Sequence, residues 1–221
     1  MPTQIDGSSI NSFSQALQDH ADAFLVRLDD EDIERLSNYY ELLMKWNSRL
    51  HLVAPCSPVE FATRHILESL LLLRHLPRNA RIADVGSGAG LPIIPCLILR
   101  DDLRATLIES SQRKAVFLNE ALRGLPNPES ANVIVGRFED TVFPQSDFVS
   151  CRAIDRFQQV LPKLIDWAPP PTTFLLFAAE ALKAQIEEVL SSVQAERVPG
   201  SEQRFLVLGR RTTLPPKKNR R

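Results

Sequence analysis

The chain has 221 residues, 44% of them hydrophobic and 24% charged, enough for one well-cored domain with a small appendage. Its formal net charge is −1, so nucleic-acid binding would have to rest on local basic patches, since a global field is excluded. Cys56, Cys96 and Cys151 lack the paired spacing of a zinc site, and the longest leucine run, Leu70–Leu73, falls far short of the roughly 20 apolar residues that cross a bilayer. The opening "MPTQIDGSSI" is polar, and with the unpaired cysteines it leads us to expect a soluble cytoplasmic protein with no metal and no membrane partner.

In chain order, the first ten residues read as loose, and a helix is expected around 11–28. "DDEDIERLSNYYELLMKWNSRL" (29–50) repeats Ile33, Leu36, Tyr40, Leu43, Trp46 and Leu50 on one helical face, with acids crowding its start. Ser57, Pro58 and Glu60 read as a capping box opening a further helix to about Leu76. Residues 1–76 are therefore expected to form an N-terminal helical cap.

From Arg81 the pattern changes to short β-rich runs alternating with helical stretches. The runs are 81–85, 104–109, 132–136, 147–151 and 173–178, with helices at 111–123, 155–167 and 179–190. This alternation predicts a Rossmann-like α/β domain over 77–211 with a mostly parallel sheet. Two further runs, 193–198 and 204–209, follow without a helix between them and predict an antiparallel edge. A basic tail, 212–221, ends in "KKNRR".

In such sheets the ligand sits at the carboxyl ends of the strands, where strand order reverses. "IADVGSGAGLPIIP" (82–95) places Gly86, Gly88 and Gly90 directly after the first strand, where the lack of a Cβ lets backbone approach a ligand. The spacing is not the G-x-G-x-x-G of dinucleotide binders. Asp84 suits a cofactor bearing an ammonium group, and Glu109, at the end of the second strand, suits ribose hydroxyls. Together they point to S-adenosylmethionine. In "GRFEDTVF" (136–143), Phe138 is a candidate to lie against adenine and Glu139 to meet its exocyclic amine. Arg152, ending the fourth strand, is a candidate to contact the methionine carboxylate, the fold itself or a substrate phosphate.

These residues, with "YYELLMKWNSRLHL" (39–52), "RHILESL" (64–70), "TLIESSQRKAVFL" (106–118) and "SCRA" (150–153), resemble a specific family. It is the bacterial small-subunit rRNA methyltransferase G family, also called glucose-inhibited division protein B. The likeness runs from about Tyr39 to Glu180. It implies a class I S-adenosylmethionine-dependent methyltransferase fold and methyl transfer to N7 of one guanine in small-subunit (16S) rRNA. It also implies cofactor contacts at Gly86, Leu91, Phe138, Glu139 and Arg152, with Glu109 near the ribose. The expected partner is small-subunit rRNA or a ribosomal particle, met by a monomer. Arg64 and His65 are expected on the substrate side of the cleft, with Lys114 and the basic tail as phosphate contacts. Trp46 reads as core and Asn47 as a backbone-binding polar group.

The chain departs from the family pattern at His51–Val53, Glu68, Ile93 and 178–180, departures expected to fall partly on the RNA-facing surface. They leave room for a divergent methyltransferase acting on another RNA site or a small molecule. A nicotinamide-dependent oxidoreductase lacks the right glycine spacing, and a noncatalytic RNA-binding relative leaves the intact cofactor constellation unexplained. No catalytic residue is nominated, because guanine N7 carries a free lone pair and needs no general base.

Overall fold

The computed structural model describes residues 7–152 and 157–211. The basic tail, Ala153 and the first residues of the helix expected from 155 lie outside the described residues. Helix α1 (Gly7–His20) and α2 (Asp30–Leu50) open the chain. The helix expected at 11–28 begins earlier, at Gly7, within residues expected to be loose, tightens into a 3-10 turn at Ala21–Phe24 and ends at Leu25, whose φ of 57° is left-handed. Helix α2 starts at a reciprocal capping box in which Asp32 N donates to Asp29 Oδ1 (2.8 Å) and Asp29 N to Asp32 Oδ2 (3.2 Å). The capping box expected at Ser57 is only half made. Glu60 N donates to Ser57 Oγ at 3.1 Å, but the Glu60 carboxylate turns forward to the guanidinium of Arg64, one turn along the same helix.

The helical run from Pro58 to His75 is continuous but changes its winding. Short α segments α3 (Pro58–Glu60) and α4 (Glu68–Leu70) flank a π-helical stretch at Phe61–Leu67, and Leu71–His75 closes as a 3-10 turn. The remaining elements are β1 (Arg81–Val85), α5 (Ile93–Leu99), β2 (Arg104–Glu109), α6 (Gln112–Arg123), β3 (Ala131–Val135), β4 (Phe148–Arg152), α7 (Phe157–Trp167), β5 (Thr172–Ala179), α8 (Glu180–Val189), β6 (Ser191–Arg197) and β7 (Arg204–Arg211). Helix α5 follows the glycine loop, and Ile93–Ile98 are all buried. With no polar face it carries no amphipathic period to read.

The strand order is β3-β2-β1-β4-β5-β7-β6. Strands β1 to β5 are parallel, and β7 runs antiparallel to both β5 and β6, as the helix-free link between the last two runs predicts. The order reverses at β1, which pairs with β2 on one side and β4 on the other. Side-chain alternation along β1 splits the core into two layers. Ile82 joins a cluster shared with Phe13, Leu36 and Leu43 of the cap, whereas Ala83 and Val85 join one with Leu161 and Leu164 of α7. The cap thus packs against the sheet face toward which Asp84 points.

Replacing Asp29 with alanine removes the acceptor for Asp32 N and should cost about 1 kcal/mol. Thermal denaturation should show Tm lowered by about 2–4 °C, with Asp29→Ser restoring most of it; an unchanged Tm would mean that the α2 terminus contributes nothing to global stability.

Candidate cofactor and substrate site

The glycine loop is built by the strand next to it. Gly86 N and Ser87 N both donate to Ile108 O, at 2.9 and 3.2 Å, and Gly88 N donates to Glu109 Oε2 at 2.9 Å. The other carboxylate oxygen of Glu109 accepts from Ser111 N at 2.7 Å. One carboxylate therefore fixes the loop after β1 and the turn into α6, and retains a lone pair on each oxygen. All three loop glycines take a positive φ, Gly86 at 71°, and the space around two of them differs. Gly90 has φ +81°, and a Cβ there would run into the Ile94 side chain of α5 and come within 3.3 Å of Leu118. Gly88 has φ +51°, but its Cβ would meet only Gly86 O, at 3.7 Å, so it faces the open site. Tyr39 of α2 reaches the same loop, its buried hydroxyl donating to Ala89 O at 2.5 Å.

Asp84 lies one layer behind the loop and is 1% exposed. Its Oδ1 accepts from Ser150 Oγ at 2.6 Å, a contact set by the β1–β4 register that pairs the two residues. Its Oδ2 is buried without a partner. Burial pushes its carboxyl up to about 6, partly countered by the Ser150 hydroxyl. A buried acceptor with no donor fits a ligand that brings a positive charge to this loop.

Two cavities meet at Gly86. One, of about 440 Å³, is lined by Val85, Ile108, Gly136, Phe138, Glu139 and Lys163, among others. The second, of about 290 Å³, is lined by Leu52–Ala54 and His65 of the cap, Gly86–Ala89, Leu91, Glu109, Lys114 and Arg152. Most of the sequence candidates line these two cavities at the carboxyl edge of β1, β2 and β4; Asp84, Gly90 and Arg64 line neither. Two of the lining candidates are placed differently from a simple contact role. The Phe138 ring is only 6% exposed and packs edge-on against Trp167, with centroids 5.5 Å apart. The Glu139 carboxylate reaches toward Lys163 Nζ at 3.6 Å.

Arg152 is engaged by the cap. Its Nη1 donates to His65 O and Ser69 Oγ (3.4 and 3.3 Å), and its Nη2 donates to Arg64 O at 2.6 Å and lies 3.4 Å from His65 Nδ1. Glu68 Oε1 is 3.5 Å away, and Glu68 Oε2 accepts from Arg204 Nη1 of β7 at 2.5 Å. Of the three roles open to Arg152 in the sequence, its terminal nitrogens take the one within the fold. His65 is half-buried, and burial together with the nearby Arg152 lowers its imidazole to about 3, leaving it neutral. Arg64 projects outward to Glu60.

Two departures expected near the RNA-facing surface are interior. Glu68 is 2% exposed and Ile93 fully buried: the first supplies the carboxylate between two guanidiniums, the second packs α5 under the sheet. Leu52 and Val53 do line the second cavity, while Ala179 and Glu180 are exposed at the end of β5. Asn47 Oδ1 accepts from Val53 N at 3.0 Å, and Trp46 packs against Phe117, as the sequence predicts for both. Tyr39 and Arg204 were not singled out from sequence. A tyrosine on a buried helical stripe needs a hydroxyl partner, which was the available signal for the first; Arg204 carried none.

A family model described as rRNA small subunit methyltransferase G matches residues 32–213. The chain belongs to the rRNA small subunit methyltransferase G family. Proteins named ribosomal RNA small subunit methyltransferase G from Sorangium cellulosum and Nitrosomonas europaea are 34% and 36% identical over 170 and 177 residues, covering 74% and 75% of this chain and 71% and 81% of theirs. That of Gluconobacter oxydans is 38% identical over 166 residues, covering 74% of this chain and 82% of its own. Among solved structures, an RNA methyltransferase from Salinibacter ruber, in complex with S-adenosyl-L-homocysteine, superposes with a TM-score of 0.55 at 14% identity, over 75% of this chain and 97% of that one. At that identity the likeness concerns the fold, which is the class I methyltransferase fold expected for this family.

The raised Asp84 carboxyl has a stability consequence with a definite sign. Between its unfolded value near 3.8 and its folded value of about 6, the folded chain holds the extra proton. The contribution is therefore fully present below about pH 4 and lost, by about 3 kcal/mol, as pH rises through 6. Denaturant titrations of the cofactor-free protein at pH 5 and 7.5 should show a smaller loss for Asp84→Asn than for the wild type. Equal losses would remove Asp84 as the cause.

Proposed function

We infer that this chain transfers the methyl group of S-adenosylmethionine to N7 of a guanine in small-subunit ribosomal RNA. The observation that carries it is the pair of cavities meeting at Gly86, the second lined by Glu109, with Asp84 buried just behind the loop and one of its oxygens unpartnered, inside the segment that defines family membership. The cofactor's chemical contribution is an electrophilic methyl group on a sulfonium. Loop backbone at Gly86, Gly88, Gly90 and Leu91 would hold it, with Glu109 accepting from ribose hydroxyls and Asp84 facing its positive charge. Backbone and side chains at Phe138 and Glu139 would bound the adenine, and Arg152 would close the opposite end.

The rest of the work is alignment. Guanine N7 has no proton at neutral pH, so the chain need supply no base, and the neutral His65 is not required to act as one. Holding the base in line with the methyl group is an effect of proximity and orientation. A stacked guanine must first be drawn from its neighbours. Arg64, His65 and the Lys114 side chain at the second cavity form the substrate side, where Lys114 meets phosphate. Its substrate places the enzyme in the cytoplasm. The divergent reading loses support because Glu68 and Ile93, two of its four departures, are interior.

The direct test is transfer of a labelled methyl group to small-subunit particles lacking the modification, with naked rRNA alongside. Label should appear on one guanine. No label despite measured binding of S-adenosylhomocysteine would refute the reading, and tight binding of NAD alone would overturn the cofactor. Glu109→Ala, which frees both Gly88 N and Ser111 N, should weaken S-adenosylhomocysteine binding by calorimetry roughly tenfold or more.

A further inference from the structure

The imidazole of His65 lies at the meeting point of the cap and the second cavity, and its two nitrogens have different surroundings. Nδ1 faces Arg152 Nη2 at 3.4 Å. A guanidinium nitrogen can only donate, so this contact favours an unprotonated Nδ1 with the single ring proton on Nε2. Nε2 makes no hydrogen bond within the described residues, yet it is not among the buried atoms left without one. His65 lines the second cavity, so this unengaged nitrogen is available to a ligand bound there.

The tautomer is held from behind. Arg152 is fixed through the carbonyls of Arg64 and His65, the Ser69 hydroxyl and the buried carboxylate of Glu68, itself bonded to Arg204. Both carbonyls belong to the π-helical stretch, a winding that often marks functional sites. The ring also leans on Phe61, with centroids 5.0 Å apart. The ring's position is thus held, and its Nε2–H tautomer favoured, before any substrate arrives.

We propose that the Nε2–H of His65 donates a hydrogen bond to O6 of the target guanine, so that His65 selects guanine over adenine while leaving N7 free to attack. Guanine presents N7 and O6 as acceptors on this edge, whereas adenine places an amino donor where O6 would be. A single donor at that point accepts guanine and sets donor against donor for adenine. An arginine or lysine would grip N7 together with O6, occupying the lone pair that must attack; an imidazole with one proton does not. Arg152, Glu68 and Arg204 are positioning residues that act through this ring. The inference rests on the methyltransferase reading and deepens it.

Two measurements test it. Side-chain nitrogen NMR of the protein, with His65→Gln used to assign the signal among its four histidines, should show the Nε2–H tautomer; an Nδ1–H tautomer overturns the proposal. Once the methylated nucleotide is mapped, guanosine there is compared with 2-aminopurine, which keeps N7 and lacks O6. The wild type should transfer more slowly to 2-aminopurine by about 10- to 100-fold, on the scale of a lost buried hydrogen bond. His65→Leu should slow transfer to guanosine by a similar factor and abolish most of that discrimination, and comparing ratios cancels the analogue's own reactivity. His65→Gln, which keeps a donor, should recover part of it. Both variants should bind S-adenosylhomocysteine within about twofold of the wild type. Full discrimination surviving in His65→Leu refutes the proposal, and so does a loss confined to cofactor affinity, which would assign Nε2–H to the cofactor's carboxylate. Failure of the wild type to methylate guanosine would instead refute the methyltransferase reading, with the tautomer measurement still deciding the geometry.

Discussion

The guanidinium of Arg152 sits where the cap, the end of β4 and the start of β7 come together, and a charge in that position must be met from several sides at once. Its side chain is 12% exposed and that of Glu68 only 3%. Buried charges persist only when paired and hydrogen-bonded, and breaking such a pair typically costs about 3–5 kcal/mol. The surroundings supply what the charge requires. The π-helical winding at Phe61–Leu67 turns two backbone carbonyls toward Arg152, and Glu68 lies between it and Arg204. Arg204, in turn, brings the antiparallel edge of the sheet into the same network. The wall of the second cavity is therefore built in part from the groups that meet one cation.

The cofactor loop answers a second electrostatic problem with the opposite charge. Glu109 takes backbone donors from both sides of the β1–β2 crossover, so the loop is held in its bend before a ligand is present. Such preorganisation lowers the ordering cost of binding. Asp84, by contrast, is buried with one oxygen unmatched, which destabilises the empty protein at neutral pH. The loop is thus shaped by satisfied hydrogen bonds, while a carboxylate with one unmatched oxygen lies directly behind it. Tyr39 connects this loop to the cap through Ala89 O, so both sides of the cleft share one framework.

Much of this is written locally. The runs 81–85 and 104–109 are the strands β1 and β2 residue for residue, and the other strands differ from their runs by one or two residues at most ends, with β7 two longer. Their β-branched, apolar composition between turn residues is a short-range signal, and so are the three glycines and the acids flanking them. The errors share a cause. The box at Ser57 was half made because Glu60 had a competing partner one turn ahead, and the helix at 11–28 broke at Leu25 although its apolar pattern continued. In each case a competing arrangement within a turn of the chain, the Glu60–Arg64 pair and the left-handed cap at Leu25, took the place of the expected one.

The sequence by itself determined the order of elements, the cofactor loop, the carboxylates Asp84 and Glu109, and membership of a methyltransferase family, because each depends on residue types at short, fixed spacings. Only the tertiary structure decided what Glu68 and Arg152 do, that the His65 ring lies against Arg152, and that Asp84 is left with an unmatched oxygen. Those properties belong to pairs separated by 66 to 136 positions in the chain. Burial and charge pairing at such separations are set by how layers pack, and no local pattern of residues encodes them.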